Sequence, residues 1–232
     1  MTISEGDFIL LEYTVYVKET GNVIDTTNEE LAKKMNIYES GRIYGPQLIV
    51  IGKGWINKVV EEEIMKMSIG EERTIEVSPD KAYGPRDPGK VKVFSLRDFH
   101  RRGLTVTVGD VVEIGGVKGI VKSINGGRVT VDFNHPLAGK TLIYKAKLVA
   151  KLEDINDKLK HLASRHLRIP IDELEVIYDP QTKEVSFTIP SKYVSRGDLQ
   201  YGKISLASDV LDFFKESIDK IVFKEVIARS KE

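Results

Sequence analysis

The clearest pattern of apolar and polar positions lies between Lys58 and Val77. Val60, Ile64 and Met67 recur at spacings of four and three, which puts them on one face of a short amphipathic helix. Glu61, Glu62 and Glu63 fall towards its start, where carboxylates suit the helix dipole, and they read as a solvated helix start. Gly70 can take the positive φ that ends a helix. The period then shortens to two. Arg73, Ile75 and Val77 alternate with Glu72, Thr74 and Glu76, the pattern of a half-buried strand. Ser78-Pro79-Asp80 is turn chemistry. A small helix set against a twisted sheet is the arrangement this stretch predicts.

Before it, Phe8, Leu10 and Glu12 alternate with Ile9, Leu11 and Tyr13, a strand running to Val17. Gly21-Asn22 turns the chain into a return strand at Val23-Ile24-Asp25. Thr26 to Glu30 carries a capping hydroxyl or amide followed by acids, the start of a short helix with Leu31, Ala32 and Met35 turned inward. Gly41 and Gly45-Pro46 break that pattern. After Gly84, four short strands are predicted at Val91–Phe94, Val111–Ile114, Gly116–Val121 and Arg128–Val131, with a capped helix at Ser95–Phe99 and glycine-rich turns between. A further strand returns at Leu142, Tyr144, Ala146 and Leu148. From residue 153 the order is α-β-β-α-β. Ile155, Leu159, Leu162, His166 and Ile169 share a helix, and Asp179-Pro180-Gln181-Thr182 joins two strands. Ser205 or Ser208 caps a second helix carrying Leu206, Val210, Phe213 and Phe214, and Ile221–Ile227 closes the segment.

Several of these blocks together resemble FKBP-type peptidyl-prolyl isomerases. Met67-Ser68-Ile69-Gly70, the strand after it, and Pro79-Asp80-Lys81-Ala82-Tyr83-Gly84 are similar to the family's core signature. Tyr13-Thr14-Val15-Tyr16 and Thr20 to Asp25 resemble its first hairpin and pocket aspartate. Asp132 to Leu142 resembles the end of the SlyD-like branch, and the long remainder resembles the long archaeal type. The resemblance implies an α+β chain with an FKBP-like antiparallel sheet and short helix, a small all-β insert-in-flap domain and a C-terminal α+β domain. The expected boundaries are 1–85 with 132–152 for the isomerase domain, 86–131 for the insert and 153–232 for the last domain. It implies that the insert captures unfolded chain and passes it to the isomerase pocket.

Carried over residue by residue, the resemblance assigns Tyr13, Asp25, Tyr83 and Tyr144 to catalysis. Tyr83 would donate its hydroxyl to a substrate carbonyl, and Asp25 would orient a polar group at the pocket edge. Ile24, Trp55, Ile56, Asn57, Val60, Ala82, His135 and Leu137 would line the substrate site, with Phe94 and Phe99 on the insert. The sequence departs from the family at Val59-Val60, where glycine and a bulky residue are usual. The floor of the proline slot is then Val60, or Trp55 with a shifted alignment. Ile24 and Tyr144 stand where phenylalanine is common, and Asn57 where an aliphatic is. Val93, Phe94, Leu96, Phe99 and Leu104 could form an apolar client patch, or be the insert's own core.

Composition narrows the alternatives. The 232 residues carry 35 basic and 35 acidic side chains, so no whole-chain attraction to nucleic acid or an anionic membrane is expected. Residues 86–131 are locally basic, either a patch for acidic or polar chain segments or an ordinary solvated surface. Cysteine is absent, which removes disulfides and a thiol nucleophile. No signal-like segment or membrane-length apolar run is read, so a cytoplasmic protein is expected. His161 and His166 are not on one helix face, and no metal or cofactor is expected. The expected partners are unfolded polypeptides and, because Val210-Leu211 and Phe213-Phe214 exceed what a small core needs, a second copy through the C-terminal domain; docking on the chain's own isomerase domain is the alternative. A holdase with weak or no isomerase activity is the competing function, and an RNA-binding factor using the basic insert is a third.

Overall fold

The computed structural model describes residues 2–227. Residue 1 and residues 228–232, the outer ends of the expected first and third domains, lie outside the described residues. The described chain forms two compact units, one built from residues up to Glu76 and from Ile143 onward, the other from Val77–Leu142.

The first unit begins with β1 (Phe8–Val17), β2 (Val23–Thr26), α1 (Glu29–Lys34), β3 (Gln47–Val50), α2 (Lys58–Ile64) and β4 (Glu72–Val77). The second carries β5 (Val91–Ser95), α3 (Leu96–Arg101), β6 (Val111–Ile114), β7 (Val117–Asn125) and β8 (Arg128–Asp132). The chain returns through β9 (Leu142–Leu152) to α4 (Ile155–Leu167), β10 (Glu175–Asp179), β11 (Glu184–Ile189), α5 (Ser191–Val194), α6 (Leu199–Phe213) and β12 (Lys220–Glu225). The main sheet has the order β2-β1-β9-β4, with β3 also on β1; β1 pairs antiparallel with both β2 and β3.

The local elements follow the periodicity. Val60, Ile64 and Met67 are buried on one face of α2 and its exit, and Ile75 and Val77 alternate with exposed Glu72, Thr74 and Glu76 on β4. Asn57 starts α2 by accepting the Val59 N–H on its side-chain oxygen at 2.9 Å, and Asn28 does the same for α1 with Leu31 at 2.8 Å. Two details differ from expectation. Helix α2 ends at Ile64, and Gly70, at φ 85°, serves the turn into β4 instead of the helix end. Met35 caps α1 and is exposed, leaving Ala32 as the buried residue of that helix.

Glu61 is not part of a solvated face. It is 7% exposed, and its carboxylate accepts the backbone N–H groups of Gly52 and Gly54, while Oε1 has no partner. Burial pushes its pKa above the ordinary carboxylate value, against those two hydrogen bonds. The side chain therefore ties the loop before Trp55 to α2.

The C-terminal segment keeps the expected order, with β10 antiparallel and β12 parallel to β11. Helix α6 starts at Leu199, before either serine considered as its cap. This segment does not close a core by itself. Leu159, Leu162, Phe187, Leu206 and Val210 share one buried cluster with Phe8, Leu48 and Val50 of β1 and β3. Phe213 meets Phe8 edge-on at 5.7 Å between centroids, and Phe214 lies 5.6 Å from the same ring. The apolar surplus at Phe213-Phe214 is thus taken up by the chain's own sheet, since a segment of this size supplies only a modest core.

The inserted unit has a four-stranded sheet of order β5-β8-β7-β6, antiparallel throughout. Its core is Phe99, Val106, Val112, Val121, Val129 and Val131. Gly119 is needed there, because a Cβ would lie 2.6 Å from Val131 and 2.8 Å from the Phe133 ring.

Candidate functional site

In the first unit three elements converge on Asp25. Strand β1 presents Tyr13, β2 presents Asp25 by antiparallel pairing, and the irregular stretch after α1 brings in Arg42. The Tyr13 hydroxyl donates to Asp25 Oδ2 at 3.1 Å, and Arg42 Nη1 donates to Asp25 Oδ1 at 2.8 Å. Both carboxylate oxygens are therefore engaged and the group is held in one orientation. Burial, and then the neighbouring Asp25 charge, push the Tyr13 phenol far above its ordinary range, so it remains an O–H donor at any physiological pH. Burial alone would lower the Arg42 pKa, but the hydrogen bond and charge of Asp25 outweigh it and the net direction is up. Tyr144 on β9 completes the cluster, its ring 6.5 Å from that of Tyr13.

Arg42 was not among the sequence-based candidates. The signal was present only as an interruption, since Gly41 and Gly45-Pro46 mark an irregular loop between β2 and β3. The loop is organised by aromatics. Tyr38 and Tyr44 stack at 5.5 Å with an 11° interplanar angle, and the Arg42 guanidinium lies 5.1 Å from the Tyr44 ring centre.

The remaining candidates of this unit divide. Ile24 and Ile56 are half-buried, and Asn57 is used as the cap of α2. Val60 is fully buried. Trp55 is half-buried against the C-terminal segment: its ring meets His166 edge-on at 6.2 Å and Phe213 at 6.0 Å, and Arg165 covers its face at 4.1 Å. The ring is thus occupied in packing that segment.

The inserted unit holds a second group. Tyr83, 49% exposed, stacks on His135 at 4.2 Å and 4°. His135 Nδ1 accepts the Leu137 N–H at 3.2 Å, and Gly139 N–H donates to the Gly84 carbonyl at 2.8 Å, which ties the two loops together. Ala82, at the end of a 3-10 turn, is half-buried. Tyr83, Ala82, His135 and Leu137 are therefore grouped in this unit, while Tyr13, Asp25 and Tyr144 are grouped in the other.

On the insert, Phe99 is 4% exposed and sits in the module's core. Phe94 meets it edge-on at 6.3 Å and Phe133 at 6.1 Å, so both aromatics serve internal packing. The exposed apolar side chains are instead Val93, Leu104, Val108, Val111 and Val117. Val93 and Val111, 60% and 65% exposed, lie on one face of the sheet, because Val93 is opposite Thr130 and Val111 opposite Ile120 in the ladder.

Comparison with known proteins identifies the family. Residues 1–97 match the family described as FKBP-type peptidyl-prolyl cis-trans isomerase, and residues 92–137 match "FKBP26, IF domain". A short-type peptidyl-prolyl cis-trans isomerase of Methanocaldococcus jannaschii is 34% identical over 146 residues, covering 63% of this chain and 92% of that protein. The FKBP-type 16 kDa peptidyl-prolyl cis-trans isomerase of Escherichia coli (strain K12) is 30% identical over 116 residues, 48% of this chain and 78% of that protein. The SlyD isomerase of Helicobacter pylori (strain J99) is 29% identical over 161 residues, 68% of this chain and 78% of that protein. Among the described residues, no helix is long and apolar enough to cross a membrane. With a signature match over the strands that carry Tyr13 and Asp25, and a relative covered almost end to end, this chain belongs to the FKBP-type peptidyl-prolyl cis-trans isomerases.

Proposed function

We propose that this isomerase is also a folding chaperone of the long archaeal, SlyD-like type, which captures unfolded chain on its inserted unit and isomerises X-Pro bonds at an apolar pocket. The observation that carries the chaperone reading is the exposure of Val93 and Val111 on one face of the inserted sheet, in a module whose phenylalanines are already committed to its core.

The chemistry follows from the imide bond. Resonance sets a barrier of about 18–20 kcal/mol to its rotation, and uncatalysed X-Pro exchange takes tens to hundreds of seconds. The twisted transition state loses conjugation and is less polar than the planar bond. Withdrawing the imide from water therefore favours the twisted state. The task requires shape, dryness and a few fixed polar groups. Tyr144 and the ring of Tyr13 supply apolar walls, and Asp25, locked by Tyr13 and Arg42, supplies a fixed acceptor at their edge. Tyr83, with an exposed ring, retains the role of donor to a substrate carbonyl that the family resemblance gives it.

The location proposed is cytoplasmic. A homodimer is proposed through α6, where Tyr201, Ile204 and Leu211 are exposed on the side away from Leu206 and Val210. Light scattering of the full chain reads it: a Tyr201→Glu/Ile204→Glu variant is expected to scatter as a monomer where the parent scatters as a dimer.

The deciding experiment is proline-limited refolding of an unfolded test protein, run beside turnover of a short proline peptide. The parent chain is expected to accelerate both. Asp25→Ala/Tyr83→Ala is expected to lose both, and Val93→Ser/Val111→Ser to lose the refolding advantage selectively. A parent that suppresses aggregation while leaving the slow phase unchanged would make this a holdase on an isomerase fold.

A further inference from the structure

Arg42 has a second side. Besides holding Asp25, it lines a groove of about 440 Å³ whose other walls come from the C-terminal segment: Arg168, Pro170, Tyr193, Arg196 and Asp198. All of these residues belong to the first unit. The groove is a feature of the long chain, because its far wall is built by residues that follow α4.

Its construction is specific. Arg168 follows the last turn of α4 in a left-handed conformation, φ 52°, where a cation suits the negative end of the helix. Its carbonyl accepts from Arg196 Nη1 at 3.1 Å, which fixes the wall. Arg196 forks onto Asp198, Nε to Oδ1 at 3.0 Å and Nη2 to Oδ2 at 2.7 Å. The guanidiniums of Arg42 and Arg196 are thus neutralised by Asp25 and Asp198, while that of Arg168 is exposed and forms no ion pair among the described residues. One turn back on the same helix face, Arg165 likewise forms no ion pair there; it lies on Trp55 and donates to the Leu48 carbonyl at 3.3 Å. Asp198 also acts on Arg168 and Asp209 acts on Arg165, so these four arginines against three aspartates leave a single positive charge along the strip, carried on planar forks that suit carboxylates.

Resting on the isomerase reading of the Asp25 site, we propose that this groove binds an acidic stretch of the substrate polypeptide lying beside its X-Pro bond, so that the enzyme selects prolines flanked by Asp or Glu. Arg42 joins the two places, since its guanidinium contacts Asp25 and the residue itself lines the groove. Tyr193 and Pro170 give the incoming chain an apolar surface beneath the charges.

The test uses the full chain and proline peptides of equal length: one neutral, one with two glutamates before the X-Pro bond, one with two after it. One acidic peptide is expected to exceed the neutral one in kcat/KM by about threefold to fivefold at low salt, as an exposed charge pair allows. The advantage should shrink as salt is raised. Arg168→Glu is expected to abolish or invert it, and Arg168→Lys to retain most of it. Fluorescence anisotropy of the same peptides, labelled, reads the groove independently of turnover. Equal kcat/KM and equal affinity for all three peptides would overturn the proposal. So would a preference that survives Arg168→Glu.

Discussion

Both units are built on sheets with alternating apolar and polar positions, yet they end differently. In the first, β1 is covered on both sides over its first half: Ile9 and Leu11 are buried on one face, and Phe8 on the other is sealed by Phe213 and Phe214. In the inserted unit one face is sealed by Phe99 and its neighbours, and the other leaves Val93 and Val111 in water. The same chain therefore covers a second sheet face at β1 and leaves Val93 and Val111 open on the insert. Exposed valines on the insert are not an unavoidable by-product of a β-sheet, which is the reason they are proposed as the client surface.

The contrast can be broken first by stability. Phe187→Ala or Leu159→Ala, in the cluster shared by the C-terminal segment and β1, is expected to cost about 3–5 kcal/mol in urea unfolding. Val93→Ala and Val111→Ala should stay within about 0.5 kcal/mol of the parent. A large loss from the valines would make them core residues and remove the client surface.

The next largest effect is expected at the polar cluster. Tyr13→Phe removes the hydrogen bond to Asp25 and leaves the ring, which should lower kcat/KM for a proline peptide by about fivefold to tenfold, the equivalent of about 1–1.5 kcal/mol. Arg42→Gln should act on the same carboxylate from its other oxygen. The two changes should then be non-additive in a double-mutant cycle, because one loosened side already frees Asp25. Strict additivity would mean that Asp25 is not held as a unit.

The smallest effect expected is on pH dependence. Burial lowers the pKa of both His161 and His166 from the ordinary value of 6.5, in His166 despite Asp209 at 2.7 Å. The folded state therefore binds these protons less readily than the unfolded chain. Stability contributed by the neutral rings is present above pH 6.5 and is lost as pH falls below it, towards the lower folded-state value. Thermal unfolding scans should show a modest decline in this window, and His166→Gln should flatten it. A pH-independent midpoint between pH 7 and pH 5, a window set by the ordinary histidine value, would contradict the assignment.

What was legible in the sequence was local. The switch of period at Gly70, the capping hydroxyl or amide before α1 and the hairpins all act within a few residues, and each is visible as spacing, whereas Asn57 read as a substrate residue and caps α2. The grouping of Tyr13 with Asp25 was legible through the family resemblance, and the short turn that fixes the register between their strands brings the two together. Arg42 was not, since its place depends on an irregular loop held by the Tyr38–Tyr44 stack. Glu61 read as a solvated acid because its partners, the N–H groups of Gly52 and Gly54, carry no side-chain signal. Trp55 and Phe99 were ambiguous for a related reason. An aromatic ring looks the same in a sequence whether it meets a substrate or another part of the chain.

The sharing of one core between the beginning and the end of the chain has a consequence for how the protein is made. Phe8, Leu48 and Val50 leave the ribosome well before the residues that seal them, Leu206, Val210 and Phe213. At typical elongation rates the intervening stretch takes about ten to forty seconds to synthesise. Throughout that interval a row of apolar strand residues waits uncovered, at risk of pairing with other nascent chains. A prolyl isomerase thus completes the cover of its own first strand only after that whole stretch has been made, and during that time it is itself a candidate client.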